Sequence, residues 1–155
     1  SFGEEKYIIK ASMTSEEIEI RMEKVLSHLP EVVGMNNHQG SKASANKRVM
    51  NVIGTVLKNH GKYFLDSRTT KETRAESTMR TLGVPTGRRH VFLDNNPDEK
   101  AISQQLYLLA EKAKLNGFAV GIGHVKGNTL KVLQQEIPKL KAANYEFVFV
   151  SEVVN

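Results

Sequence analysis

Five times along this 155-residue chain a short apolar run breaks off at polar side chains. Val32-Val33-Gly34-Met35 gives way to Asn36-Asn37-His38-Gln39-Gly40-Ser41, and Tyr63-Phe64-Leu65 to Asp66-Ser67-Arg68. Val91-Phe92-Leu93 ends in Asp94-Asn95-Asn96, Ala119 to Gly123 ends in His124, and Phe147 to Val150 ends in Ser151-Glu152. A short apolar run bounded by turn residues reads as a buried strand. Helical patterns separate these strands, and strict alternation of strand and helix forces parallel pairing through right-handed crossovers. The fold class is therefore α/β. In parallel α/β architectures the carboxyl ends of the strands face one side, where ligand chemistry collects, so the polar ends form the candidate site.

The helices carry their own boundary signals. Thr14, with Glu17 three residues on, makes a capping box for a helix through Ile18, Met22, Val25 and Leu26 that stops by Pro30. A second helix over 45–59 buries Val49, Val52, Ile53, Val56 and Leu57 and ends at His60-Gly61. A polar helix near 71–82 stops at Gly83 and Pro85; these two and Gly87 read as turn chemistry only. Asn96-Pro97-Asp98 opens a long helix with a stripe of Ile102, Leu106, Leu109, Ala113 and Leu115, closed by Asn116-Gly117. The last helix, 129–143, contains Pro138, which is expected to end or kink it. Strands are also expected at 7–11 and 145–150.

At this length, with 39% apolar residues and no repeats or linkers, one globular domain is expected. A formal charge of +5, spread along the chain, gives a modest preference for anionic partners. Nucleic-acid binding calls for a basic stripe interleaved with aromatics, and with 6% aromatic content and no Trp no nucleic-acid partner is expected. The absence of cysteine rules out disulfides, thiolate ligands and a cysteine nucleophile. No apolar run is long enough to span a bilayer, and the first residues lack a signal-peptide pattern.

Each polar end admits a functional and an ordinary reading. His38, after two amides and before Gly40, either faces a ligand or faces water, and His124, after the small Gly121-Ile122-Gly123 strand, is similar. Asp66 and Asp94 each suit a base, a metal ligand or a loop cap. Arg68 pairs with Asp66, grips an anion or is solvated. His28, His60 and His90 read as structural. No phosphate-binding glycine loop and no H-E-x-x-H or H-x-x-x-H pair is present, so a metal would need ligands from separate strands. His38, Asp66, Asp94 and His124 are the residues that could converge in that way.

Together, Gly34-Met35-Asn36-Asn37-His38-Gln39-Gly40-Ser41, Phe64-Leu65-Asp66-Ser67-Arg68-Thr69-Thr70, Val91-Phe92-Leu93-Asp94-Asn95, Ile122-Gly123-His124 and Val150-Ser151-Glu152 resemble the divergent polysaccharide deacetylase family in order and spacing. The resemblance implies a distorted or incomplete (β/α) barrel with parallel strands, exported from the cytoplasm, that hydrolyses acetyl groups on a cell-envelope polysaccharide with a divalent metal, zinc being the one expected. It implies His38 as metal ligand, His124 and Asp66 as catalytic groups with His124 the general acid, and Asn36, Asn37, Arg68, Asp94 and Asn95 as substrate-binding or supporting residues. The match is to the C-terminal two-thirds of the family domain. The family's first strand with its Asp-Asp pair, and the strand carrying His-Leu-Pro, are not found upstream of Thr14. The expected catalytic base and a further metal ligand are then missing, and residues 1–155 alone are expected to be inactive. Ordinary deacetylases also place a second histidine four residues after the first, where this chain has Lys42. A non-catalytic carbohydrate-binding or envelope scaffold is the alternative.

Overall fold

The structure, a computed structural model, describes residues 7–38 and 40–155; residues 1–6, and Gln39 of the first polar end, lie outside the described residues. Helices separate the strands except at Thr86–Arg88 and Val91–Phe92, which follow one another directly, and the strand pairings are parallel. This is the α/β class the apolar runs require. The strands form two sheets and the chain divides into two compact units, one reaching to Arg88 and including Val154–Asn155, the other Arg89–Val153.

The first unit begins with α1 (Ser15–His28), held open at its start by the expected capping box: Glu17 N donates to Thr14 Oγ1 at 3.1 Å and Thr14 N donates to Glu17 Oε2 at 2.7 Å. It continues through β1 (Gly34–Asn36), α2 (Ser41–Ser44), α3 (Lys47–Asn59), β2 (Tyr63–Asp66), α4 (Ala75–Leu82) and β3 (Thr86–Arg88). The strand order is β1-β2-β3, with Met35 beside Phe64 and Leu65 beside Gly87. Ile18, Met22 and Leu26 of α1 pack with Val49, Met50, Ile53 and Leu57 of α3, Phe64 of β2 and Met79 of α4. Each such buried side chain stabilises by about 1.5–3 kcal/mol relative to exposure. Gly34 is required in β1 because a Cβ there would overlap the Tyr63 ring.

The second unit contains β4 (Val91–Phe92), α5 (Glu99–Asn116), β5 (Gly121–Ile122) and α6 (Gly127–Ala142). Asp98 caps α5 by accepting from Ala101 N at 3.1 Å, and Gly117 closes it at φ 84°. Val91, Leu93, Ile102, Leu106, Ala110, Val132 and Leu140 make the core. Two pairs tie α5 to α6: Tyr107 Oη donates to Glu136 at 2.9 Å, and Lys131 Nζ meets Glu99 at 2.8 Å.

Several expectations are corrected. Residues 7–11 form no strand; their carbonyls are taken by guanidiniums, with Ile8 O accepting from Arg21 at 2.6 Å and Ala11 O from Arg48 at 2.9 Å. Gly87 is a strand residue of β3 rather than a turn residue. Leu115 is 83% exposed, so the α5 stripe ends before it. Pro138 lies inside α6, which continues beyond it; the residue sits on the exposed side of the helix. Residues 145–149 join no ladder and lead into a short 3-10 turn at Val150–Glu152. Tyr145 N closes the end of α6 on Leu140 O at 3.0 Å after Asn144 turns at φ 65°, which spends its N–H on the helix.

Candidate functional site

In the first unit the polar ends of β1 and β2 lock together. Asp66 is fully buried and both its oxygens are in use. Oδ1 accepts from Arg68 N at 2.8 Å and from Asn37 Nδ2 at 3.4 Å; Oδ2 accepts from the Thr73 hydroxyl at 2.9 Å and from Glu76 N at 3.4 Å. Asn37 completes the clasp, its Oδ1 accepting from Ser67 N at 2.7 Å and its Nδ2 donating to Ser44 Oγ at 2.8 Å. Asn36 Nδ2 donates to Ser67 Oγ at 3.0 Å. A carboxylate is acceptor only, and four donors occupy the two oxygens of Asp66. In this arrangement it holds the loop.

That loop stores strain. Arg68 sits at φ 49°, a left-handed conformation that costs a non-glycine residue about 1–2 kcal/mol, and its hydrogen bond to Asp66 holds it there. His38 is exposed just beyond β1, next to Asn37 of the clasp. The structure thus gathers Asn36, Asn37, Asp66 and Arg68 into one hydrogen-bonded cluster, with His38 adjacent in sequence.

The second unit pairs the other two. Asp94 follows β4 and its side chain is 1% exposed. Its Oδ2 accepts from His124 N at 2.7 Å and from the Thr129 hydroxyl at 2.8 Å, while its Oδ1 lies 2.9 Å from His124 Nδ1. Burial pushes the Asp94 carboxyl up, but the hydrogen bonds from the His124 backbone, the His124 ring and Thr129, with the ring's charge, outweigh it and hold the group below its usual range. An ionised carboxylate can only accept, so Nδ1 carries the proton and Nε2 is the basic nitrogen of the neutral ring. The His124 side chain is 45% exposed. A half-exposed imidazole oriented from behind by a buried carboxylate can give and take a proton at Nε2.

Asn95 is exposed and stands outside this pair. His28, His60 and His90 have structural partners as expected: Tyr7 Oη, Glu23 and Val120 N. The reading of polar strand ends missed Ser44, Thr73 and Thr129, which lie on helices or before them. The signal was present only in part, since a Thr in the first turn of a helix following a strand is also an ordinary capping residue. For a divalent ion the fit is incomplete: among the described residues no three His, Cys, Asp or Glu side chains come together as ligands.

The divergent polysaccharide deacetylase family profile matches residues 1–154. The chain belongs to this family. It is 36% identical to protein YibQ of Escherichia coli over 136 residues, 88% of this chain and 43% of that protein. It is 32% identical to an uncharacterized Haemophilus influenzae protein over 128 residues, 83% of this chain and 46% of that one. The chain therefore spans less than half the length of these curated relatives. The crystal structure of protein ATU2773 from Agrobacterium tumefaciens has the same fold, with a TM-score of 0.85 at 19% identity over 93% of this chain and 58% of that one. Among the described residues no helix is long and apolar enough to cross a membrane.

Proposed function

We propose that this chain supplies the acid side of a hydrolase that removes acetyl groups from a cell-envelope polysaccharide outside the cytoplasm. The observation that carries this reading is the Asp94–His124 pair, with Nδ1 held at 2.9 Å by a buried carboxylate. In amide hydrolysis water adds to the acetyl carbonyl and the C–N bond breaks. The departing nitrogen takes a proton as it leaves. His124 Nε2–H provides that proton when the ring is charged, and Asp94 stabilises the charged ring without itself becoming protonated.

Within the first unit Asn36, Asn37 and Arg68 are the substrate-binding residues of this reading, with Asp66 fixing the Arg68 loop; within the second unit they are Asp94 and Asn95. A divalent metal, expected to be zinc, would polarise the carbonyl when bound, with His38 as the proposed ligand from this chain. The remaining ligands and the group that activates the water are sought outside the described residues. The distorted (β/α) barrel is part of this proposal, supported by the parallel pairing of the strands within each sheet.

One observation favours a non-catalytic glycan-binding role instead, the incomplete metal-ligand set. Acetate release separates the two readings. A polypeptide containing this chain and extended to the length of its curated relatives should liberate acetate from an N-acetylated oligosaccharide, and His124→Ala should lose at least about a hundred-fold, the low end for removing a general acid. Glycan binding without acetate release from the unaltered protein would establish the binding role.

A further inference from the structure

We infer that Thr129 is a positioning residue for His124, acting through Asp94; this rests on the hydrolytic reading above. Asp94 has two oxygens and three donors around it. His124 N and the Thr129 hydroxyl, at 2.7 and 2.8 Å, both engage Oδ2, which turns Oδ1 toward His124 Nδ1. The terminal torsion of an aspartate is otherwise soft, so two donors on one oxygen set the plane of the carboxylate. His124 N cannot do this alone, because it moves with the residue being oriented. Thr129 belongs to a different element, the first turn of α6, and provides the independent reference.

Its own placement is tightly specified. Thr129 is 2% exposed, and a β-branched side chain has few χ1 options. A Cβ on Gly123 would come within 3.2 Å of the Thr129 methyl, so the glycine preceding His124 leaves the space in which that methyl rests. The methyl side is set by Gly123, and the hydroxyl is thereby aimed at Asp94. The sequence Gly123-His124 and the residue Thr129 thus form one device: the glycine admits the threonine, the threonine orients the aspartate, and the aspartate orients the histidine.

The test uses Thr129→Val, which keeps the branched shape and deletes the donor, beside Thr129→Ser, which keeps the donor and deletes the methyl. The readout is the proton resonance of His124 Nδ1–H by nuclear magnetic resonance, which is protected from solvent exchange only while the ring is held against Asp94. Expected is a sharp resonance in the unaltered chain and in Thr129→Ser, and its loss by exchange in Thr129→Val while the backbone spectrum stays folded. An unchanged resonance in folded Thr129→Val overturns the proposal. If Thr129→Val does not fold, Thr129→Ser decides: loss of its resonance would show that the hydroxyl is not what holds the ring. Because no substrate is involved, this outcome is separate from acetate release, whose failure would overturn the hydrolytic reading instead. In the active protein, Thr129→Val should lower kcat about ten-fold with KM little changed, as expected for removing an orienting group behind a functional histidine.

Discussion

Asp94 meets His124 twice, through the ring nitrogen Nδ1 at 2.9 Å and through the backbone N–H of the same residue at 2.7 Å. The double contact joins the end of β4 to the end of β5. In the other unit Asp66 and Asn37 make the neutral counterpart, a buried carboxylate met by an amide from the adjacent strand end. Asp94 therefore bears on both a strand junction and the orientation of the His124 ring, whereas Asp66 bears on a loop.

The pH dependence of stability follows from the lowered Asp94 carboxyl. A depressed folded-state value means that Asp94 stabilises the fold fully above its unfolded value of about 3.9, and that this contribution is lost as pH falls below that value through the folded one. Urea midpoints should thus drop on acidification below about pH 4. Asp94→Asn should lack this component and be less stable at pH 7 by about 2–3 kcal/mol, the range for losing hydrogen bonds to a buried charge. Equal acid sensitivity in both proteins would show that Asp94 titrates alike in the folded and unfolded chain.

Asp66 and Asn95 should behave in opposite ways. Asp66→Asn places an NH2 group among four donors and should cost about 2–3 kcal/mol in urea unfolding. Asn95→Ala, at an exposed position, should fall within about 0.5 kcal/mol of the unaltered chain. A neutral Asp66→Asn substitution would remove the clasp from the explanation of the Arg68 loop.

Gly54 lies in the middle of α3, where glycine is disfavoured by about 1 kcal/mol against alanine. A Cβ there would meet Leu82 Cδ1 at 2.5 Å and Met79 Sδ at 2.8 Å, both side chains of α4. Overpacking of this kind costs about 1–3 kcal/mol, so Gly54→Ala should destabilise or at best break even despite the gain in helix propensity. A clear rise in the thermal midpoint would mean that Leu82 and Met79 move aside freely.

How much of this was legible in the sequence depended on whether the signal was local. The capping box at Thr14 and Glu17, the Asp98 cap and the turns at Gly61 and Gly117 are fixed by side chains within a few residues of one another, and each is where the pattern placed it. The polar ends Asp66, Asp94 and His124 were legible as candidates because each breaks off a buried apolar run, with loop capping, the use Asp66 has here, as the ordinary reading beside it. Their partners were not. Thr73 lies seven residues from Asp66 and Thr129 thirty-five from Asp94, and nothing in one sequence announces such contacts. Segments 7–11 and 145–149 misled because apolar content was read as strand, while strand formation also needs a partner for each N–H and C=O. Arg21, Arg48 and the end of α6 took those groups first.

Metal content offers a separate check. Elemental analysis should find no stoichiometric divalent metal in this chain alone, since its described residues bring no three ligand side chains together. A polypeptide extended to the length of the curated relatives should carry zinc or a similar ion, and His38→Ala should remove it. Metal in the extended polypeptide that survives His38→Ala would take His38 out of the ligand set, and metal in neither form would favour the glycan-binding role.

The most direct measurement is the nitrogen-15 spectrum of the His124 ring in the unaltered chain near neutral pH, assigned by comparison with His124→Gln. In the neutral form of the ring the expected result is a proton on Nδ1 and a bare Nε2, converting to the other tautomer or to a mixture in Asp94→Asn. A ring protonated on Nε2 with a bare Nδ1 would contradict the Asp94–His124 pair as an orienting dyad, and with it the assignment of His124 as the acid.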